Sequence, residues 1–191
     1  MRVAPRALDR VPWYLRPFFW NQRRKYGAPL VAALVWARLP RLFVTVALLY
    51  GAIDRRRSLI PPPLRSILTV RVSQINGCHF CVDLNSATLL KRGVPEDKAL
   101  EIAAWRTASS FDDRERAALD FAEAMTRSDS SVDDRHIEAL RRYFDDNTIV
   151  ELTALVAFQN LSSKFNAALG VPPQGFCPLP GIGGRDGAIS A

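Results

Sequence analysis

Apolar positions along this chain recur at three- and four-residue spacing rather than in alternation. Leu64, Ile67, Leu68, Val72 and Ile75 share one helical face, so the pattern predicts a helix that opens at Pro63 and runs into the turn signal Asn76-Gly77. A second helix is predicted from about Cys78 to Arg92, with Phe80, Leu84 and Ala87 on its apolar face and Gly93 as its stop. A shorter one follows from Pro95 to about Arg106. Asp112 with Glu115, and Ser131 with Asp134, read as capping pairs that open helices reaching about Thr126 and Tyr143. A long helix from about Asn147 to Leu169 buries Leu152, Leu155 and Val156 and ends at Gly170. Near the N-terminus, residues 28–37 and 42–53 are apolar runs that read as two core helices. Arg38, Pro40 and Arg41 part them, so neither supplies the roughly 20 residues that span a bilayer. Residues 8–26 mix aromatics with cations, and Pro12 and Pro17 interrupt any long helix there. No alternating strand pattern of useful length appears. The expected fold is all-α, one domain of roughly seven or eight helices. It divides into an apolar, basic N-terminal segment (1–60) packed on a core (61–170), with a Pro- and Gly-rich irregular tail (171–191).

Composition changes this picture little. The 191 residues are 48% apolar, which suits a globular domain rather than a disordered chain. Charge is uneven: residues 1–60 hold 12 Lys/Arg and 2 Asp/Glu, net +10, and the remainder is net −3. Such a segment can meet nucleic acid or an anionic membrane. No nucleic-acid motif accompanies it here, so the expectation is no nucleic acid and no membrane, with the basic segment wrapping an acidic body, its own or a neighbour's. The 3 cysteines make no disulfide framework and fit a reducing cytoplasm. No signal-peptide core follows Met1.

The chemistry concentrates at Ser73-Gln-Ile-Asn-Gly-Cys-His-Phe-Cys81. With Cys78 at a helix start, Cys81 lies on the same face one turn later, close enough to bridge. Free N–H groups and the positive end of the helix dipole favour thiolate there. A thiolate beside a second thiol is equipped for peroxide reduction or disulfide exchange, one attacking and the other resolving. Two other readings stay open. The pair also reads as packed structural thiols, or as part of a zinc site, for which the chain offers beyond the pair only His79, His136 and Cys177. His79, between the thiols in sequence, is a candidate activating cation or base, or else a solvent-facing residue. Asp83 is placed to support the turn, and near Cys81 it would raise rather than lower the thiol's pKa. Gln159-Asn-Leu-Ser-Ser-Lys164 is a polar interruption in an apolar helix, fit to line a pocket or an interface. His136 reads as a surface residue, Cys177 as an incidental thiol of the tail, and Gly181-Ile-Gly-Gly184 as a weak signal, because no strand precedes it.

The run Arg71-Val-Ser-Gln-Ile-Asn-Gly-Cys-His-Phe-Cys-Val-Asp83 resembles the core of the carboxymuconolactone decarboxylase and alkylhydroperoxidase D superfamily. Lys91-Arg-Gly-Val, Ala104-Trp105-Arg106, and Arg114-Glu-Arg-Ala-Ala-Leu with Glu123-Ala-Met-Thr126 extend the resemblance over roughly residues 60–170. It implies an all-helical fold, a homo-oligomer (dimer, trimer or hexamer) and no cofactor or metal. Its peroxidase branch implies that the residue at Cys81 attacks a hydroperoxide and the one at Cys78 resolves, with a thiol or disulfide redox partner returning electrons. That branch carries a glutamate at the position of Ser66 and a histidine at that of Asn85, a relay that deprotonates the attacking thiol. Neither Ser nor Asn titrates near neutral pH, so this relay is absent. The resemblance thus implies a CxxC thiol peroxidase. Its alternatives are a decarboxylase acting on a small lactone acid, or a non-catalytic redox-sensing oligomer with an incomplete site.

Overall fold

The computed structural model describes residues 1–182, and every regular element among them is helical. In chain order these are α1 (Arg16–Tyr26), α2 (Val31–Trp36), α3 (Pro40–Ile53), α4 (Pro62–Ile75), α5 (His79–Lys91), α6 (Glu96–Glu101), α7 (Asp113–Ala124), α8 (Asp134–Arg141) and α9 (Asp146–Ala168). Single 3-10 turns lie at Leu8–Arg10, Trp13–Leu15 and Ile102–Ala104. Helix α1 is one element more than the apolar pattern announces. Pro17 stands in its first turn, where a missing N–H costs nothing, and therefore opens a helix rather than ending one. Residues 171–182 carry no regular element. The Gly181–Gly184 signal runs outside the described residues.

Helix α4 is the central element. It packs against α5, α7 and α9, and Ile67, Leu68, Val70 and Val72 are wholly buried. Each such side chain contributes about 1.5–3 kcal/mol by leaving water, so this helix fixes its neighbours. Helix α5, which carries the cysteine pair, packs along α4. The Asp112–Glu115 capping box opens α7 as the sequence indicates. The next cap differs: Asp133 with His136, not Ser131 with Asp134, opens α8. Asp133 has the extended backbone an N-cap needs and stands directly before the first helical residue. His136 is accordingly drawn against Asp133 and mostly covered, rather than free on the surface.

The N-terminal segment adds a second cluster, built on Val11, Leu15, Phe19, Ala33, Ala37 and Phe43. Arg2 ties it to the end of α9, donating its guanidinium to the carbonyls of Ala167 and Ala168 and its backbone N–H to that of Leu169. Helix α3 is less of a core helix than its composition indicates: Phe43 and Ile53 are buried, whereas Leu42, Leu48 and Leu49 face outward. Trp13 and Trp20 are exposed as well, at 78% and 65%. Among the described residues no helix is long and apolar enough to cross a membrane.

Candidate functional site: a cysteine pair at a helix start

Local turn chemistry places the cysteines. At the end of α4 the N–H of Cys78 reaches back to the carbonyl of Ser73, and that of Gly77 to Gln74. This closure needs a left-handed residue after the helix, and Gly77 supplies it with φ of 62°. Asn76 pins the same turn to α9, its amide donating to Asn160 Oδ1 at 2.9 Å and Ser163 Oγ at 2.8 Å. The chain leaves this turn directly into α5, with Cys78 as the N-cap and its sulfur accepting the N–H of Cys81 at 3.2 Å. The Cα atoms are 5.2 Å apart and the two sulfurs stand at bonding distance. Both residues are buried. The sequence expectation of a bridgeable pair at a helix start therefore holds in geometry.

The two thiols differ in what they face. Cys81 lines a cavity of about 330 Å³ bounded by α1, α2, α3, α5 and α9, and Cys78 does not. Its apolar wall is built from the aromatic rings of Phe18, Tyr26, Trp36, Phe43, Tyr50, Phe80 and Phe158, with small and aliphatic side chains such as Leu30, Ala33, Val46 and Leu84 between them. Phe43 stacks on Phe19, and Trp36 stacks on Phe165 with centroids 3.6 Å apart, so these rings are held by partners behind them. The polar lining is Asn21, Gln22, Lys25, Asn85, Gln159, Ser162 and Asn166, and Lys25 brings the one formal charge. Lys164, the cation that the polar run in α9 offers, is exposed and lies outside this lining.

The remaining sequence candidates fall in three places. Asn85 is at the cavity, one turn beyond Cys81, with its amide donating to Ser73 Oγ at 3.1 Å. Gln159 donates to the same hydroxyl at 2.9 Å, which joins α4, α5 and α9 behind the thiols. Ser66 is buried elsewhere. Its hydroxyl accepts from Arg92 at 3.0 Å, beside the Asp54 carboxylate that pairs with Arg65 at 2.7 Å and Arg92 at 2.8 Å. A glutamate there would meet Arg92 and be ion-paired. His79 is exposed at the first position of α5 and does not line the cavity. Asp83 is turned from the cavity: its carboxylate accepts the backbone N–H groups of Gln174, Gly175 and Cys177, each at 2.8 Å. It clamps the tail over α5, and Gln174 then accepts the N–H of Val31 where α2 begins. Cys177 is half-buried within this clamp, and burial pushes its thiol up.

Asn166 is the contributor that sequence reasoning passes over. It lies on α9, 2% exposed, and its amide Nδ2 stands 3.4 Å from Cys81 Sγ. The signal was present in part, since Gln159, Ser163 and Asn166 recur at helical spacing and extend the polar run past Lys164.

An all-α fold with a buried CxxC pair, of which Cys81 lines a cavity with aromatic walls, defines a helical dithiol protein. The carboxymuconolactone decarboxylase family model matches residues 40–124, further toward the N-terminus than the resemblance in sequence reached. The chain is 40% identical over 173 residues to the uncharacterized protein YnjA of Escherichia coli K12, covering 91% of this chain and 95% of that one. This protein belongs to the carboxymuconolactone decarboxylase family, with the alkylhydroperoxidase D-like helical fold. Among solved structures, the debrominase Bmp8 is similar at 26% identity with a TM-score of 0.79, over 91% of this chain and 92% of that one. That debrominase has also been solved as a cysteine-to-alanine variant in complex with 2,3,4-tribromopyrrole. An uncharacterized peroxidase-related protein of Ralstonia eutropha JMP134 shares the fold at 24% identity with a TM-score of 0.81, over 91% of this chain and 92% of that one.

Proposed function

We propose that this protein is a dithiol reductase of small organic hydroperoxides, with Cys81 as the attacking thiol and Cys78 as the resolving one. The observation that carries the reading is that Cys81 lines the aromatic cavity while Cys78 stands behind it at bonding distance. The Cys81 thiolate takes the terminal oxygen of R–O–O–H, the O–O bond breaks, and R–O⁻ leaves and takes a proton from solvent. Cys81 is now a sulfenic acid. The Cys78 thiolate attacks its sulfur, hydroxide leaves as water after protonation, and the disulfide forms. One peroxide becomes an alcohol and water, and two thiols become a disulfide. An external dithiol restores the pair by exchange.

The aromatic walls favour an organic R group, which hydrogen peroxide lacks. With dithiothreitol as donor, kcat/KM for cumene hydroperoxide should exceed that for hydrogen peroxide at least about tenfold, worth roughly 1.4 kcal/mol of apolar contact. Equal values would sink the organic assignment.

The similarity to a debrominase over 91% of this chain favours a second reading with the same thiols. Cys81 would take bromine from an aromatic carbon, which gains a proton, and Cys78 would displace bromide to close the disulfide. Bromide release from 2,3,4-tribromopyrrole tests it. In either reading we propose that a second copy of the chain covers the exposed apolar residues of α3 together with Trp13 and Trp20. Light scattering should report a dimer, trimer or hexamer, and a monomer at micromolar concentration would contradict it.

A further inference from the structure

We infer that Asn166 is a catalytic residue whose side-chain N–H holds Cys81 as a thiolate, replacing the proton relay that Ser66 and Asn85 do not form. The inference deepens the dithiol reading above and rests on it for the identity of the attacking sulfur. Its geometry is independent of the substrate.

A disulfide sulfur carries no hydrogen, so the amide must present Nδ2 to Cys81, at 3.4 Å. That orientation leaves Asn166 Oδ1 buried with no hydrogen-bond partner among the described residues. An unpartnered buried carbonyl destabilises a fold, and an apolar residue of the same shape would avoid it. A packing role alone does not account for an asparagine here, whereas a donor aimed at the attacking sulfur does. Charge-assisted hydrogen bonds are the stronger ones, so this N–H binds a thiolate better than a thiol or a disulfide. It thereby lowers the proton affinity of Cys81 without itself taking the proton, which leaves through solvent. The backbone fixes the amide in place: the carbonyl of Asn166 accepts the N–H of Val171 at 3.0 Å, and Val171 packs with both cysteines.

Few other groups compete for this role. Of the residues lining the cavity, Lys25 on α1 carries charge, and Tyr26 and Tyr50 are the remaining titratable neighbours besides Cys81 itself. Tyr50 already donates to Asp54 at 2.9 Å. On α5, His79 is exposed and Asp83 is committed to the tail. From α4 the group behind the pair is the Ser73 hydroxyl, which donates to the carbonyl of Thr69. The lining contributed by α9 is uncharged.

The test uses the full chain carrying Cys78→Ser and Cys177→Ser, so that Cys81 is the one thiol. Its alkylation by iodoacetamide is followed from pH 5 to 10, which requires no knowledge of the substrate. Asn166→Leu should fold with an unchanged or raised Tm, because it removes the orphaned carbonyl. Its alkylation midpoint should rise by about one pH unit and its rate at neutral pH should fall roughly tenfold. Asn166→Asp, of nearly the same size, should raise the midpoint further, because a carboxylate then faces the sulfur. If Asn166→Leu fails to fold, Asn166→Ala, which removes the donor without adding a charge, carries the test. An unchanged midpoint in the folded variants, with or without a lower Tm, would assign Asn166 to packing and overturn the inference. Because alkylation is read without peroxide, a failure of the hydroperoxide assignment leaves this result interpretable.

Discussion

Cys81→Ser is expected to abolish hydroperoxide turnover, by at least about a thousandfold, because the thiolate is the nucleophile and a serine hydroxyl remains protonated. Cys78→Ser should behave differently. It should consume one equivalent of peroxide in a burst and then slow, leaving Cys81 as a sulfenic acid that dimedone captures. The asymmetry follows from the cavity, which Cys81 lines and Cys78 does not. Rapid-quench kinetics on both variants checks it. A burst retained by Cys81→Ser and lost by Cys78→Ser would reverse the assigned roles.

A second large effect is expected far from the thiols. Glu123 on α7 is 4% exposed and is the hub of a polar cluster. It accepts from Trp105 Nε1 at 2.9 Å and Arg106 at 3.0 Å, and pairs with Arg71 of α4. Burial alone would raise its carboxyl, but the hydrogen bonds from Trp105 and Arg71, with the Arg71 charge and Arg106, hold it below the usual range. Glu123→Ala removes the acceptor and leaves the largely covered Arg71 without its carboxylate and the Trp105 N–H without a partner. A loss of about 3–5 kcal/mol follows from breaking such a buried pair. A carboxyl depressed in the folded state contributes stability that is present above its unfolded value, near 4.3, and is lost as pH falls through the lower folded one. Wild-type stability should therefore decline below about pH 4.3, more steeply than that of Glu123→Ala. Urea unfolding of both proteins at pH 7 and below pH 4 measures this. A cost under about 1 kcal/mol at pH 7 would mean that the cluster is solvated and weak.

The parts of this protein that were legible in the sequence are those set by neighbours in the chain. The α4–α5 junction was readable because Asn76-Gly77 ends one helix and Cys78 caps the next within a few residues. The Asp112–Glu115 box was readable for the same reason. At Ser130-Ser-Val-Asp-Asp134 several residues can cap, and the choice of Asp133 depends on where α8 docks. The cavity was not legible, because its walls come from helices separated by more than a hundred residues and no single period reports them. The tail contacts of Asp83 were not legible for a related reason: nothing in the local pattern shows that the tail returns to cover it. Helix α3 read as core from composition, yet composition does not say whether its apolar faces meet this chain. Glu123 was visible as part of a family-like run, and its role emerged only with Arg71 and Trp105 beside it.

The central claim is that Cys78 and Cys81 are a working pair, oxidised stoichiometrically by an organic hydroperoxide. The direct measurement is to titrate fully reduced protein with cumene hydroperoxide, quench with an alkylating agent and map the peptides by mass spectrometry. Each equivalent of peroxide should convert one protein from 3 free thiols to 1, with the linkage at Cys78–Cys81 and Cys177 alkylated. Persistence of all three thiols after several equivalents, or a linkage involving Cys177, would contradict the account.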